Sequence, residues 1–522
     1  MDYEQNEESI EELEESGAVA TSTASYLAFS GIFTLLVYGA AFIVIARLLG
    51  PSGYGVYIIA VSIAGAFGAV GNFGVATYLE RQIPVTLVKD KQELSDIVSS
   101  GFITIALLSL AIVIIGLLAS GYLSNLIFHS SSELLVLCVA VSGILFSMLY
   151  GTGHGALIGF NDGKGSALAS AVYTLTQTAV SITLVLLGYG VLGAVLGLFS
   201  GLVIGTLVLL LLISRHTRLK LRVGNLLKRA RSIFSFSLPI AGSNFIGSLP
   251  SNIAVILLGI YTLSSTVGNY GVASKVASIL GVFTGSLIVM LPFFSGMLAK
   301  DRHSSELSSI FSYILYVIFL FGTPFVLFFT MFAHAIMLTV FPEYTSVYVY
   351  IALMSFSVLF TMLGAPASSF VLGKAKVKRV LEFSATIGIS ELALAFLLIP
   401  RFGALGAIAV LYFFGALLSD YLYLREVSKE GIKIKMKRVY KVLLANALLA
   451  LVLLPVLLSS IYTTYKLIIA FVLVFVAYPP IAALVRALSA SDAARLSNIV
   501  SKVPVVGKLI KLLLNYSMLF AR

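Results

Sequence analysis

Lys275 lies inside an apolar run, in YGVASKVAS (270–278). A charged side chain at the centre of a membrane-embedded helix costs about 2.5–3.5 kcal/mol. This ammonium therefore needs an anion to pair with, or a path to the headgroups by snorkelling. Glu391, near the middle of another apolar run, poses the complementary problem. It must face a cavity, pair, or hold a proton, and such a carboxylate is a candidate for coupling to H+ or Na+. Arg47 and Arg401 stand at the ends of runs, where a guanidinium either binds an anion or anchors to headgroups. Asn72, Gln177, Asn244 and Asn252 are amides within other runs. They suit a hydroxyl-rich ligand or, equally, hydrogen bonds between helices. No catalytic group is expected among these residues, and no cofactor beyond a coupling ion. His154 lacks a second histidine at metal-ligand spacing, and Cys138 is the only cysteine, so no metal site is expected either.

Elements long enough to hold these groups follow from composition. The 522 residues are 59% hydrophobic and 11% charged, against about 25% charged in soluble proteins. Apolar runs of about 20 residues match a bilayer core of roughly 30 Å. They predict an all-α integral membrane protein with fourteen transmembrane helices at 24–46, 54–76, 99–121, 134–157, 167–188, 190–213, 232–260, 269–298, 307–332, 344–372, 380–399, 402–424, 439–458 and 466–487. Counting Lys441 and Arg486 at span ends with the adjoining segments, thirty of the thirty-four Lys and Arg fall on the N-terminal side of the membrane. Cationic loops stay in the cytoplasm, so both termini are expected there, in a multi-pass protein of the cell (plasma) membrane. The densest basic segments, 214–231 and 425–441, are expected to meet anionic lipid heads rather than nucleic acid. Residues 1–16 carry eight acids and no Lys or Arg, and 1–23 reads as an acidic, disordered tail without the pattern of a signal peptide. In 488–522, Lys508, Lys511 and Asn515 share a helical face opposite apolar residues, which predicts an amphipathic helix on the cytoplasmic membrane surface.

The chain also resembles itself. Tyr54-Gly55-Val56 returns as Tyr270-Gly271-Val272, an offset of 216. YGVLGAVLG (189–197) returns as FGALGAIAV (402–410), an offset of 213, and Gly159 returns as Gly373, an offset of 214. The repeat unit is six helices, giving an N-lobe at 24–213 and a C-lobe at 232–424, separated by the basic connector 214–231. A second connector at 425–438 leads to two extra helices within 439–487. An even number of crossings makes the halves parallel repeats, with a site expected at their interface. Gly50-Pro51 and Gly53 are expected to break the helix at an outer corner.

ARLLGPSGYGVY (46–57), GNFG (71–74), ERQIP (80–84), SLPIAGSNF (237–245), YGVASKVAS (270–278) and LPFFSGML (291–298) together resemble the polysaccharide-transport branch of the multidrug/oligosaccharidyl-lipid/polysaccharide (MOP) exporter superfamily. The resemblance implies a MATE/MurJ-like V of two lobes and a lipid-linked oligosaccharide flippase. Such a protein moves a polyprenyl-(pyro)phosphate-linked glycan outward by alternating access, and it is not an enzyme. It makes Lys275, Arg47 and Arg401 candidates for the substrate phosphate, and the four amides candidates for sugar contact. Glycan-assembly enzymes are candidate partners. Two alternatives stay open. A multidrug exporter of the same superfamily typically uses a carboxylate in the first lobe, whose spans hold no charge. A membrane glycan ligase or polymerase needs a large outer loop, and the longest here are about a dozen residues.

Overall fold

The computed structural model describes residues 2–71, 74–89, 91–128, 132–217, 226–283, 304–374, 376–500 and 506–520. Its regular elements are all helical, and ten helices among the described residues are long and apolar enough to cross a membrane. By contacts the chain divides into two units, Met1–Gly268 and Asn269–Arg522.

The first unit opens with α1 (Asp2–Gly71). Its first residues are the acidic stretch expected to be a disordered tail. Helix is the observed state, in keeping with the good helix propensity of Glu and the favourable placing of acids near a helix N-terminus. α1 is broken at Gly50 (φ 63, ψ 177), a backbone region reserved for glycine. Pro51 then starts the second half with its φ already set and no N–H to satisfy. This is the corner expected from the sequence. α2 (Val75–Lys89), α3 (Lys91–Phe128) and α4 (Leu134–Gly159) follow. α5 (Gly163–Leu184) runs through a π-helical turn (Val185–Tyr189) into α6 (Gly190–His216). α7 (Leu226–Tyr261) packs on α1, α2 and α3, so the grouping by contact does not follow the boundary drawn from the repeat. α8 (Ser264–Ser278) begins in this unit, and the division falls inside it.

At the start of α8 the helices meet backbone to backbone. A Cβ on Gly55 would collide with the Ser264 carbonyl, and a Cβ on Gly268 with the Pro51 carbonyl. The contact is reciprocal. In each helix the glycine follows the facing carbonyl by four residues, one turn, and the two glycines are 213 residues apart.

The second unit continues with α9 (Ser304–Met331), α10 (Ala333–Val340), α11 (Tyr348–Gly373) and α12 (Val377–Phe402). α13 (Ala404–Ile408) passes through a π-helical turn (Ala409–Phe414) into α14 (Gly415–Lys429). Gly190 (φ 52, ψ −131) before α6 and Gly403 (φ 55, ψ −131) before α13 share one backbone conformation. Both have the positive φ that glycine supplies without strain.

α15 (Lys437–Leu458) and α16 (Thr463–Leu484) pack with α9 into one buried cluster that includes Tyr316, Phe319, Val442, Leu449 and Val474. Buried Asn446 donates to Thr323 Oγ1 (2.6 Å) and to the Val442 carbonyl (2.9 Å). Such interhelical hydrogen bonds average about 0.6 kcal/mol, up to about 1.7. Asn446→Ala is therefore expected to cost about 1 kcal/mol and lower the unfolding midpoint by a few degrees in a fluorescence-monitored melt. α17 (Ala490–Val500) and α18 (Val506–Met518) close the chain. In α18, Lys511 and Asn515 are exposed as expected, but Leu514 joins the buried cluster. Protein, rather than lipid alone, covers part of the apolar face.

Candidate functional site

In the first unit the second half of α1 and helices α2 to α7 surround a cavity of ≈ 500 Å³. Small residues open it: Ala64, Gly65 and Gly68 on α1, Ala76 on α2, Ala140, Gly143 and Gly151 on α4. Among the described residues its polar lining is Ser147, Thr152, Tyr173, Ser248 and Asn252, with no charged side chain. Asn252 donates to the Ser248 carbonyl (3.0 Å), and its Oδ1 fills the space beside Gly65. Of the four amides expected to contact a ligand, Asn252 is the one among the described residues that lines this cavity.

Gln177 lies one turn from Tyr173 on α5 but is buried against Gly201 of α6, and its Oε1 has no hydrogen-bond partner. Asn72 and the side chain of Asn244 lie outside the described residues. Sequence reasoning passed over Tyr173 and the tyrosines around it. Tyr173 packs at 5.0 Å from Tyr150, and Tyr54 stacks on Tyr57 at 5.8 Å. The signal was available: three tyrosines (38, 150 and 173) fall within apolar spans rather than at their ends, where interfacial anchors concentrate. His154 shares a hydrogen bond with Ser166 Oγ (2.8 Å), which fastens α4 to α5.

The second unit holds the charged candidates. Glu391 on α12 places Oε1 in the space over Gly415 of α14, where a Cβ does not fit. Tyr270 of α8 is buried nearby. Tyr270 and Tyr412 are hydrogen-bonded, and Tyr412 donates to Ser274 Oγ (2.7 Å). A carboxylate, two phenols and a hydroxyl are thus brought together on three helices, and Lys275 is the next residue along α8. Lys275 lies on the exposed stripe of α8 with Ser278 and Ile279. Arg401 is exposed in the last turn of α12, about 15 Å along the axis from Glu391. In the first unit Arg47 is exposed one turn before the Gly50 break.

The pairs Gln177/Gly201 and Glu391/Gly415 are separated by the same 214 residues at both members. At Gly201 the contact is the Cβ of Gln177 and the Tyr173 carbonyl, whereas at Gly415 it is the carboxyl of Glu391. Asp420 is buried on α14 against Gly364 of α11.

At the far ends of these helices, Lys374 and Lys376 grip the end of α14. Lys376 reaches Glu426 (2.8 Å) and Glu430 (2.6 Å), Lys374 reaches Glu430, and Lys429 reaches Glu426 (3.1 Å). The Lys374 and Lys376 ammoniums hold the Glu430 carboxyl below its usual range. Stability from that shift is present above the ordinary carboxylate pKa and is lost as pH falls through the lowered value. For such exposed pairs the amount is small.

Comparison with known proteins agrees with this architecture. Residues 21–298, more than half of the chain, match the family described as polysaccharide biosynthesis protein. Over 219 residues the chain is 26% identical to the capsular polysaccharide biosynthesis protein CapF of Staphylococcus aureus. That match covers 41% of this chain and 55% of CapF, so it spans about half the length of the curated relative. The fold is similar to that of the lipid II flippase MurJ in an inward closed conformation, with a TM-score of 0.72 at 14% identity over 88% of this chain and 98% of that one. It is also similar to an inward-facing MATE family multidrug resistance transporter of the MOP superfamily, with a TM-score of 0.60 at 17% identity over 76% and 95%. A multi-pass membrane protein with a fold similar to those two structures, the chain belongs to the polysaccharide biosynthesis protein family.

Proposed function

We propose that the protein is a flippase. It carries a polyprenyl-phosphate- or pyrophosphate-linked oligosaccharide from the cytoplasmic to the outer leaflet by alternating access, supplying polysaccharide or glycoprotein glycan assembly. One observation carries this reading: a cavity of ≈ 500 Å³ among apolar helices, lined by small residues, hydroxyls and an amide, in a member of a polysaccharide biosynthesis family. Sugar hydroxyls cross hydrocarbon only if something replaces their hydrogen bonds with water. An uncharged polar lining does this, with Asn252, Ser248 and Tyr173 as the contacts. The small residues leave room for a ring.

In this reading the helices broken at Gly50 and at Gly188–Gly190 each cross the membrane twice, and α7 and α8 once each. That makes fourteen crossings, in two parallel six-helix lobes (24–213 and 232–424) plus α15 and α16, with both termini cytoplasmic. Lys275, Arg47 and Arg401 serve the substrate phosphate, and Glu391 couples transport to H+ or Na+.

The test is leaflet exchange of a labelled polyprenyl-pyrophosphate-linked glycan in proteoliposomes. Wild-type protein is expected to exceed protein-free liposomes, and Lys275→Ala to slow exchange by about 10-fold or more, the worth of one charge-assisted hydrogen bond. Wild-type exchange no faster than protein-free liposomes, under an imposed proton or sodium gradient, overturns the reading. Full activity in Lys275→Ala removes the lysine from it.

A further inference from the structure

We propose that the link between α14 and α15 is a reader of anionic phospholipid, with Lys433, Lys435 and Lys437 as the contacting groups. The link joins Ala404–Lys429 to Lys437–Leu458, both long and apolar enough to cross a membrane. So short a connection must run at the bilayer surface.

Its backbone is fixed by a serine ladder on α9. The Lys433 N–H donates to Ser308 Oγ (2.9 Å), and the Lys435 N–H donates to Ser312 Oγ (2.9 Å). Each hydroxyl in turn donates to the carbonyl four residues back in its own helix (2.6 Å each). The spacings match. Four residues of helix rise about 6 Å, and two residues of extended chain span about 6.6 Å. Serines at i and i+4 can therefore hold alternate N–H groups of a straight segment.

That alternation sorts the side chains, because successive residues of an extended chain point to opposite sides. Ile432 and Ile434 pack into the buried clusters around α9. Lys433 and Lys435 are exposed, and so is Lys437 in the first turn of α15. The nearby acids are already engaged: Glu426 and Glu430 by Lys374, Lys376 and Lys429, and Asp492 by Arg438. Among the described residues no ion pair holds the three exposed lysines. The result is a short row of ammonium groups on a backbone fixed before binding, so that little ordering entropy is lost when phosphates dock.

The chain contains no tryptophan, so a single reporter can be introduced. Tyr440→Trp, at an exposed position near the start of α15, places an indole beside the row. Full-length protein carrying this reporter is reconstituted in nanodiscs with brominated phosphatidylglycerol or brominated phosphatidylcholine. Each lysine at an anionic surface is worth about five-fold in binding, so three give a preference on the order of 100-fold at low salt. Stronger quenching by the anionic lipid is expected, falling as salt rises. Lys433→Gln/Lys435→Gln/Lys437→Gln is expected to remove most of the preference without shifting the unfolding midpoint. Ser308→Ala/Ser312→Ala is expected to weaken it with all three lysines present. Equal quenching by both lipids in wild type, or a preference unchanged in the triple variant, overturns the proposal. The readout is lipid proximity, so its failure leaves the flippase reading standing.

Discussion

Gly55→Ala and Gly268→Ala are each expected to lower the unfolding midpoint by about 6 °C and to reduce the yield of monodisperse protein. Most overpacking in a protein interior costs about 1–3 kcal/mol, because neighbouring side chains move aside. Here the obstruction is backbone: the Ser264 carbonyl for Gly55 and the Pro51 carbonyl for Gly268. Neither can rotate away, so the helices must separate. Between membrane helices, lipid supplies no hydrophobic drive to hold them together, and close packing of small residues carries the association. Separation therefore costs more than the added methyl, roughly 3 kcal/mol.

The reciprocal geometry sharpens the expectation. Either substitution opens the same crossing, so the double variant should be little worse than the worse single one, a departure from additivity diagnostic of a shared contact. Gly39→Ala is the control, since a Cβ there meets nothing within 4 Å. Thermal melts of the four variants, followed by size-exclusion chromatography, decide the matter. If Gly55→Ala melts with Gly39→Ala, the backbone contact is not important to the fold.

The corners were legible because single residues determine them. Gly50-Pro51 and the Gly190 and Gly403 turns need a positive φ, and few residues other than glycine accept one. The repeat was legible only to within a few residues, and the π-helical turns explain part of the scatter. Leu184 and Leu398, which back onto Gly193 and Gly406, are 214 apart, whereas those glycines are 213 apart. The turn at Val185–Tyr189 takes up one extra residue in the first copy. The turn at Ala409–Phe414 takes up one in the second, and the offset returns to 214 at Gly201 and Gly415.

The Tyr-Gly-Val match at 216 is a likeness of sequence at a different register from the crossing, where Gly55 faces the helix of Gly268. Glycine abundance hid the true pair. What no single-chain pattern revealed was tertiary. Which amide reaches the cavity, which face of α18 is covered, and where α7 packs all depend on helices far apart in sequence. The site was legible as a set of residue types, with Asn252 placed on the cavity and Gln177 off it, while the tyrosines around Tyr173 were passed over.

Glu391→Gln is expected to abolish the acceleration of leaflet exchange by an imposed proton or sodium gradient, a loss of 10-fold or more if coupling dominates, while exchange without a gradient persists. The substitution keeps shape and volume, so an amide takes the place of the carboxyl over Gly415. Stability should therefore change little, and removing a buried acid can even raise it. What changes is the ability to carry a charge or a proton beside Tyr270 and the Tyr412–Ser274 pair.

Gly415→Ala provides the geometric counterpart. Its methyl takes the space of Oε1 and drives the intact carboxylate off its seat, so coupling should be lost together with stability. Gln177→Ala separates the two effects from the other side, since it leaves every ionisable group in place. It is expected to lose packing energy and keep the gradient response. A gradient response retained in Glu391→Gln would mean that the acid is only packing and that the coupling ion binds elsewhere. Its loss in Glu391→Gln but not in Gln177→Ala would place the coupling at the carboxyl over Gly415.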